Sequence, residues 1–104
     1  MTREEKSLLL FFETCVVDHG GLVDIAHMNE SDWDIAKRWD VEGFVSFGRV
    51  LSEHLKLTGK YSHWCELSEK AWGFARDERY ARAARMNKNR TWRKTTEKHE
   101  NKPR

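Results

Sequence analysis

Apolar positions near the start of the chain repeat at helical spacing. Leu8, Phe11, Phe12 and Cys15 fall at i, i+3, i+4 and i+7, and Leu9 and Val16 widen the stripe. The pattern predicts a helix over residues 3–18. Glu4 and Glu5 occupy its first turn, where free backbone N–H groups favour anions, and Asp18-His19-Gly20-Gly21 ends it. Leu22 and Val23 predict a short extended piece, and Asp24 to Met28 has room for one helical turn. A better helix is predicted over 30–42, capped by Asn29 or Ser31 and stopped by Gly43, with Ile35, Ala36 and Trp39 turned inward.

The period then changes. Phe44 to Val50 follows a glycine, is rich in β-favouring residues and reads as a strand. Tyr61 to Leu67 reads as a second strand, with Tyr61, His63, Cys65 and Leu67 on one face and Ser62, Trp64 and Glu66 on the other. The connection is polar through Ser52-Glu53-His54 and Thr58-Gly59-Lys60, so the two strands are expected to form a long hairpin. Ser68 caps a last helix that begins at Glu69 and continues through an Ala- and Arg-rich stretch to about Trp92, on the order of 35–40 Å. Thr95 to Arg104 is polar, contains Pro103 and is expected to be disordered. The fold class is therefore mainly α with a small β-hairpin (α+β). It is organised as a core at 1–75, a basic helix at 76–94 and a tail at 95–104.

Charge changes this picture more than composition does. The 104 residues carry a formal net charge of +2, which conceals a segregation. Residues 1–75 hold 8 Lys and Arg against 13 Asp and Glu, a net of −5, whereas residues 76–104 hold 11 against 4, a net of +7. The C-terminal part is thus the part suited to polyanions. Eight of its cations fall within the helical stretch: Arg76, Arg79, Arg82, Arg85, Lys88, Arg90, Arg93 and Lys94. A three-residue step drifts by roughly 60° on a helix, so these side chains spiral around it. Trp92 stands among them, able to stack on a base or wedge between base steps. The same series also suits an acidic protein surface, a solvated helix, or a helix folded back onto the acidic body.

Several classes of function lack their signatures. No run of eighteen apolar residues is present, so no membrane span is expected, and Leu8 to Phe12 is too short for a secretory signal. Cys15 and Cys65 do not make a disulfide framework and are expected as reduced thiols in the cytoplasm. No Walker loop, GxSxG or HExxH occurs, and Cys15 lies on an apolar stripe, so neither an enzyme nor a cofactor is expected. His63-x-Cys65, His54 and the Cys15/His19 pair lack CxxC or HxxxH spacing, so no metal site is expected. Trp33, Trp39, Phe44, Phe47, Trp64 and Trp72 are read as packing residues. The last helix has no sustained heptad, which leaves a homodimer through another surface open.

The order helix, short strand, short helix, helix, hairpin, helix resembles the winged helix-turn-helix architecture. Trp39-Asp40-Val41-Glu42-Gly43-Phe44-Val45 looks like the end of a recognition helix entering the first wing strand. Tyr61 to Ala71 looks like the second wing strand running into a capped C-terminal helix. The likeness covers about residues 3–86, and the small, Trp-rich, highly charged chain is also similar to phage and prophage proteins. The resemblance implies a nucleic-acid-binding protein, with DNA favoured over RNA, such as a transcriptional regulator. Affinity would come from Arg76, Arg79, Arg82, Arg85, Arg90, Trp92 and Arg93, and orientation from Lys37, Arg38 and Lys60. One departure matters. Glu30, Asp32, Asp34, Asp40 and Glu42 burden the helix that the family inserts into the major groove, and phosphates repel carboxylates. The alternative is a protein-binding modulator, for example a phage-encoded inhibitor of a host complex, that uses Asp32, Asp34, Asp40 and Glu42.

Overall fold

Leu9 and Phe12 lie wholly buried at the centre of the molecule, on the inner face of the first helix. The computed structural model describes residues 1–89. Helix α1 spans Arg3–His19 and starts with a reciprocal cap: Glu5 N–H donates to Thr2 Oγ1 at 3.1 Å, and Thr2 N–H donates to Glu5 Oε1 at 2.7 Å. Its stripe is buried through Leu8, Phe12 and Cys15, with Phe11 and Val16 partly covered. Strand β1 (Leu22–Val23), a single tight turn at Ile25–His27 and helix α2 (Glu30–Glu42) follow.

Asn29 caps α2, and Gly43 stops it at φ 76°, a left-handed backbone that suits glycine. The inward residues of α2 are Ile35, Ala36 and Trp39, as their spacing predicts. Strand β2 spans Val45–Arg49 and β3 spans His63–Leu67. Along β3, Cys65 and Leu67 are buried while Trp64 and Glu66 face out, the alternation expected of a half-covered strand. Helix α4 runs over Glu69–Asn89, and Ser68 opens it by receiving the Ala71 N–H at 3.1 Å.

Three details differ from the expectation. The sheet has three antiparallel strands in the order β1-β3-β2, so β3 is central rather than the second arm of a simple hairpin. Gly21 makes the extra pairing possible. Its φ is +89°, its N–H donates to Cys15 O at 2.9 Å, and its carbonyl receives the Cys65 N–H at 2.8 Å. A Cβ there would lie 2.9 Å from the Cys65 carbonyl oxygen. The connection between β2 and β3 is also not purely irregular: a turn at Ser52–His54 leads into a one-turn helix α3, Leu55–Thr58. The strands are correspondingly shorter than read, at 45–49 and 63–67 instead of 44–50 and 61–67.

The chain is thus mainly helical with a small antiparallel sheet, and its core lies between α1, α2 and the inner face of that sheet. Phe47 joins the layers by packing 5.5 Å from Phe12 on one side and 5.5 Å from Trp33 on another. Burying each such ring removes roughly 150–250 Å² from water, which is how so short a chain holds a core. Among the described residues no helix is long and apolar enough to cross a membrane.

Candidate nucleic-acid interface

Helix α4 lies across α1 and runs antiparallel to it. Ala71 and Ala75, both fully buried, let the helices approach closely. Arg79 then meets Glu13 and Thr14, and Arg82, one turn further, reaches back to Ser7 near the start of α1. Arg85 and Met86 lie one turn further still, where α1 has begun.

A cationic cluster forms where α4 passes the N-terminal turns of α1. Arg82 Nε donates to Glu78 Oε2 at 2.9 Å, Arg85 approaches the same oxygen at 3.4 Å, and Lys6 Nζ stands 3.8 Å from Glu78 Oε1. Arg3 completes the lining of an open groove of about 760 Å³ that these side chains share with Ser7 and Met86. Three cations therefore meet one carboxylate, and a fourth, Arg3, lines the same groove. The hydrogen bond from Arg82 is the chief reason the Glu78 carboxyl titrates below its usual range, and Arg85 and Lys6 reinforce it. Glu78 stays ionised and neutralises only part of the cluster, and the remaining positive charge faces solvent.

The predicted contact residues differ in their surroundings. Arg82 and Arg85 belong to this cluster. Arg79 is held by Glu13, with its second nitrogen 3.1 Å from Thr14 Oγ1, while Arg76 is exposed and has no partner among the described residues. Arg90, Trp92 and Arg93 lie outside the described residues, as does the tail at 95–104. On the body, Lys37 is exposed and unpaired among the described residues, but Arg38 is committed to Glu5. The Thr2 N–H and then Arg38 hold the Glu5 carboxyl below its ordinary range, against the effect of burial. Lys60 sits apart from the cluster, 3.8 Å from Asp24 and over the Tyr61 ring at 5.5 Å, near the other end of α1.

The acidic residues of α2 prove to be of two kinds. Asp32 completes the cap with Asn29, its N–H donating to Asn29 Oδ1 at 2.8 Å. Asp40 Oδ1 receives the Phe47 N–H at 2.9 Å and so ties α2 to β2. Asp34 and Glu42 are exposed with no partner among the described residues.

Of the side chains read as packing residues, Trp33, Trp39, Phe44, Phe47 and Trp72 pack on the core, whereas Trp64 on the outer face of β3 is exposed, as are the possible ligands His19 and His54. His63 stacks on Phe47 with centroids 5.3 Å apart and meets Trp33 edge-on. Burial, and then the charge of Arg49, push its pKa down. Cys15 and Cys65 are both buried, and the Cys65 thiol donates to the Phe12 carbonyl at 3.7 Å; the neighbouring Cys15 thiol and burial push the Cys65 pKa far up. Among the described residues no three His, Cys, Asp or Glu side chains gather as a metal site would require.

Sequence reasoning missed Arg3 and Lys6. Their only signal is an i, i+3 spacing at the start of α1, and nothing local shows that α4 comes to lie beside them. No family model, curated protein or solved structure matches this chain.

Proposed function

We propose that the chain is a nucleic-acid-binding protein of winged-helix type, acting in the manner of a transcriptional regulator. The observation that carries this reading is the groove lined by Arg3, Lys6, Arg82 and Arg85, in which the last three share the single carboxylate of Glu78. Phosphates are the natural ligands for fixed, partly uncompensated guanidinium groups. The basic residues that follow in the sequence, Arg90 and Arg93 among them, extend the same charge.

The winged-helix assignment is supported by the element order and by a sheet ordered β1-β3-β2, in which β2 and β3 would be the arms of the wing. Docking differs from the family pattern in this reading. Helix α2 carries Glu30, Asp34 and Glu42 outward and keeps only Lys37 as an uncommitted cation among the described residues, so it is a poor reader of a phosphate-lined groove. The cationic edge formed by α1 and α4 takes its place.

Titration of labelled duplex and single-stranded oligonucleotides at two salt concentrations tests the proposal. Binding should weaken steeply with salt, with a log–log slope of about −3 to −5 if some five cations meet phosphates. Absence of binding, or binding indifferent to salt, would overturn it.

A second reading, a protein-binding modulator, draws support from α2 itself. Val41 is 87% exposed on the same helix as the unpartnered Asp34 and Glu42, and an apolar side chain beside free carboxylates suits a protein partner. Asp34→Asn with Glu42→Gln should then reduce recovery of a captured partner; unchanged recovery speaks against this reading.

A further inference from the structure

The second open groove, on the flank of α4 next to the cationic cluster, has a different character. It encloses about 780 Å³ and is lined by Trp72, Arg76, Arg79, Tyr80, Ala83 and Met86. These positions follow one helical stripe, so the aromatic, cationic and small residues alternate along a single track. Tyr80 is 70% exposed and Met86 54% exposed, although the core of the molecule needs neither. The small side chain of Ala83 leaves space beside the Tyr80 ring. Arg76 has no partner among the described residues, and Arg79 is fixed in place by Glu13 and Thr14. The groove joins the cationic cluster, because Arg82 and Met86 line both.

We propose that this flank is a platform for single-stranded nucleic acid, with Tyr80 as its stacking residue and Trp72 as a second ring about 12 Å away along the helix. The inference rests on the nucleic-acid reading above and narrows its substrate class. Charge complementarity selects a polyanion, since the three arginines of the groove outnumber the two carboxylates they meet, Glu13 on Arg79 and Glu78 on Arg82, and Arg76 has none among the described residues. The exposed Tyr80 ring, together with the half-buried Trp72, then selects among polyanions. A duplex keeps its base faces stacked inside and offers only phosphates and groove edges, and an acidic peptide has no repeating planar groups. A single strand presents phosphates to the arginines and bare base faces to Tyr80, Trp72 and the guanidinium planes. The strand would then pass over Met86 to the Arg3, Lys6, Arg85 cluster.

The test uses the full chain, a fluorescein-labelled oligothymidylate, a duplex of equal length and polyglutamate as competitor, followed by anisotropy. Tyr80→Ala should weaken oligothymidylate binding roughly five- to hundred-fold, the loss expected for one stacked base. Tyr80→Phe should keep most of the affinity, and duplex binding should change less than about twofold in either variant. Tyr80 is exposed, so both variants should keep the wild-type circular dichroism spectrum. The platform is overturned if Tyr80→Ala leaves oligothymidylate binding unchanged or weakens duplex equally. It is likewise overturned if polyglutamate of matched charge displaces the strand as well as unlabelled oligothymidylate does. In those cases salt-dependent binding itself survives, and with it the broader reading. Failure of wild type to bind either oligonucleotide removes both.

Discussion

Arg82 donates to Glu78 at 2.9 Å from the next turn of the same helix, and this pair marks the point where α4 turns from a packed element into a cationic one. Glu78 is also the carboxylate approached by Lys6 and Arg85, so it sets how much positive charge is left for a ligand. Glu78→Gln should therefore tighten oligonucleotide binding several-fold and steepen the log–log salt slope by about one. Titrations at two salt concentrations measure both. The stability cost should stay within about 1 kcal/mol, because the cationic partners are largely exposed.

Asp40 should behave as a structural residue and not as part of a docking face. Asp40→Ala removes the acceptor for the Phe47 N–H and should cost about 1–2 kcal/mol in urea denaturation. Asp40→Asn, which keeps a carbonyl acceptor, should cost less than half of that. Equal losses would show that charge, not the hydrogen bond to β2, is what matters there.

Stability should fall as pH drops below about 6.5, and the sign follows from His63. Burial, then Arg49 opposite it on β2, lowers its folded pKa from 6.5, so the unfolded chain takes up the proton more readily. Stability is whole while the ring is neutral and declines from about pH 6.5 toward the folded pKa. Glu5 and Glu78 have lowered pKa values and act separately, since their contributions disappear only below about pH 4.5. Denaturation midpoints for wild type and His63→Phe between these limits should diverge, with the variant flatter.

Gly21→Ala should destabilise by roughly 1–3 kcal/mol, through its left-handed φ and the approach of a new Cβ to the Cys65 carbonyl. Gly59→Ala, also at positive φ but with open space around the added carbon, should cost less. Chemical denaturation of the two variants side by side separates backbone strain from the steric clash.

Local patterns carried most of the fold. The α1 stripe, the Asn29 and Ser68 caps, the Gly43 stop and the alternation of β3 depend on residues a few positions apart, and all are readable in one dimension. Pairing of β1 with β3 was not readable: Leu22 meets Trp64 across more than forty positions, and a two-residue strand has almost no signature of its own. The candidate site divides in the same way. The positive charge of the last helix is plain from composition, but its partition is not. That Glu13 occupies Arg79 while Arg76 has no partner among the described residues, or that Glu5 takes Arg38, depends on how helices far apart in sequence come to lie together. Asp32 and Asp40 resembled a charged surface because a carboxylate used as a cap or as a backbone acceptor looks the same in sequence as one facing solvent.

The most direct test replaces Lys6, Arg82 and Arg85 together with Gln in the full chain and compares the salt dependence of oligonucleotide binding with that of wild type. If the cluster beside α1 is where phosphates sit, affinity should fall at low salt and the slope should become shallower by about 2. An unchanged affinity and slope, in a variant that keeps its fold, would contradict the account.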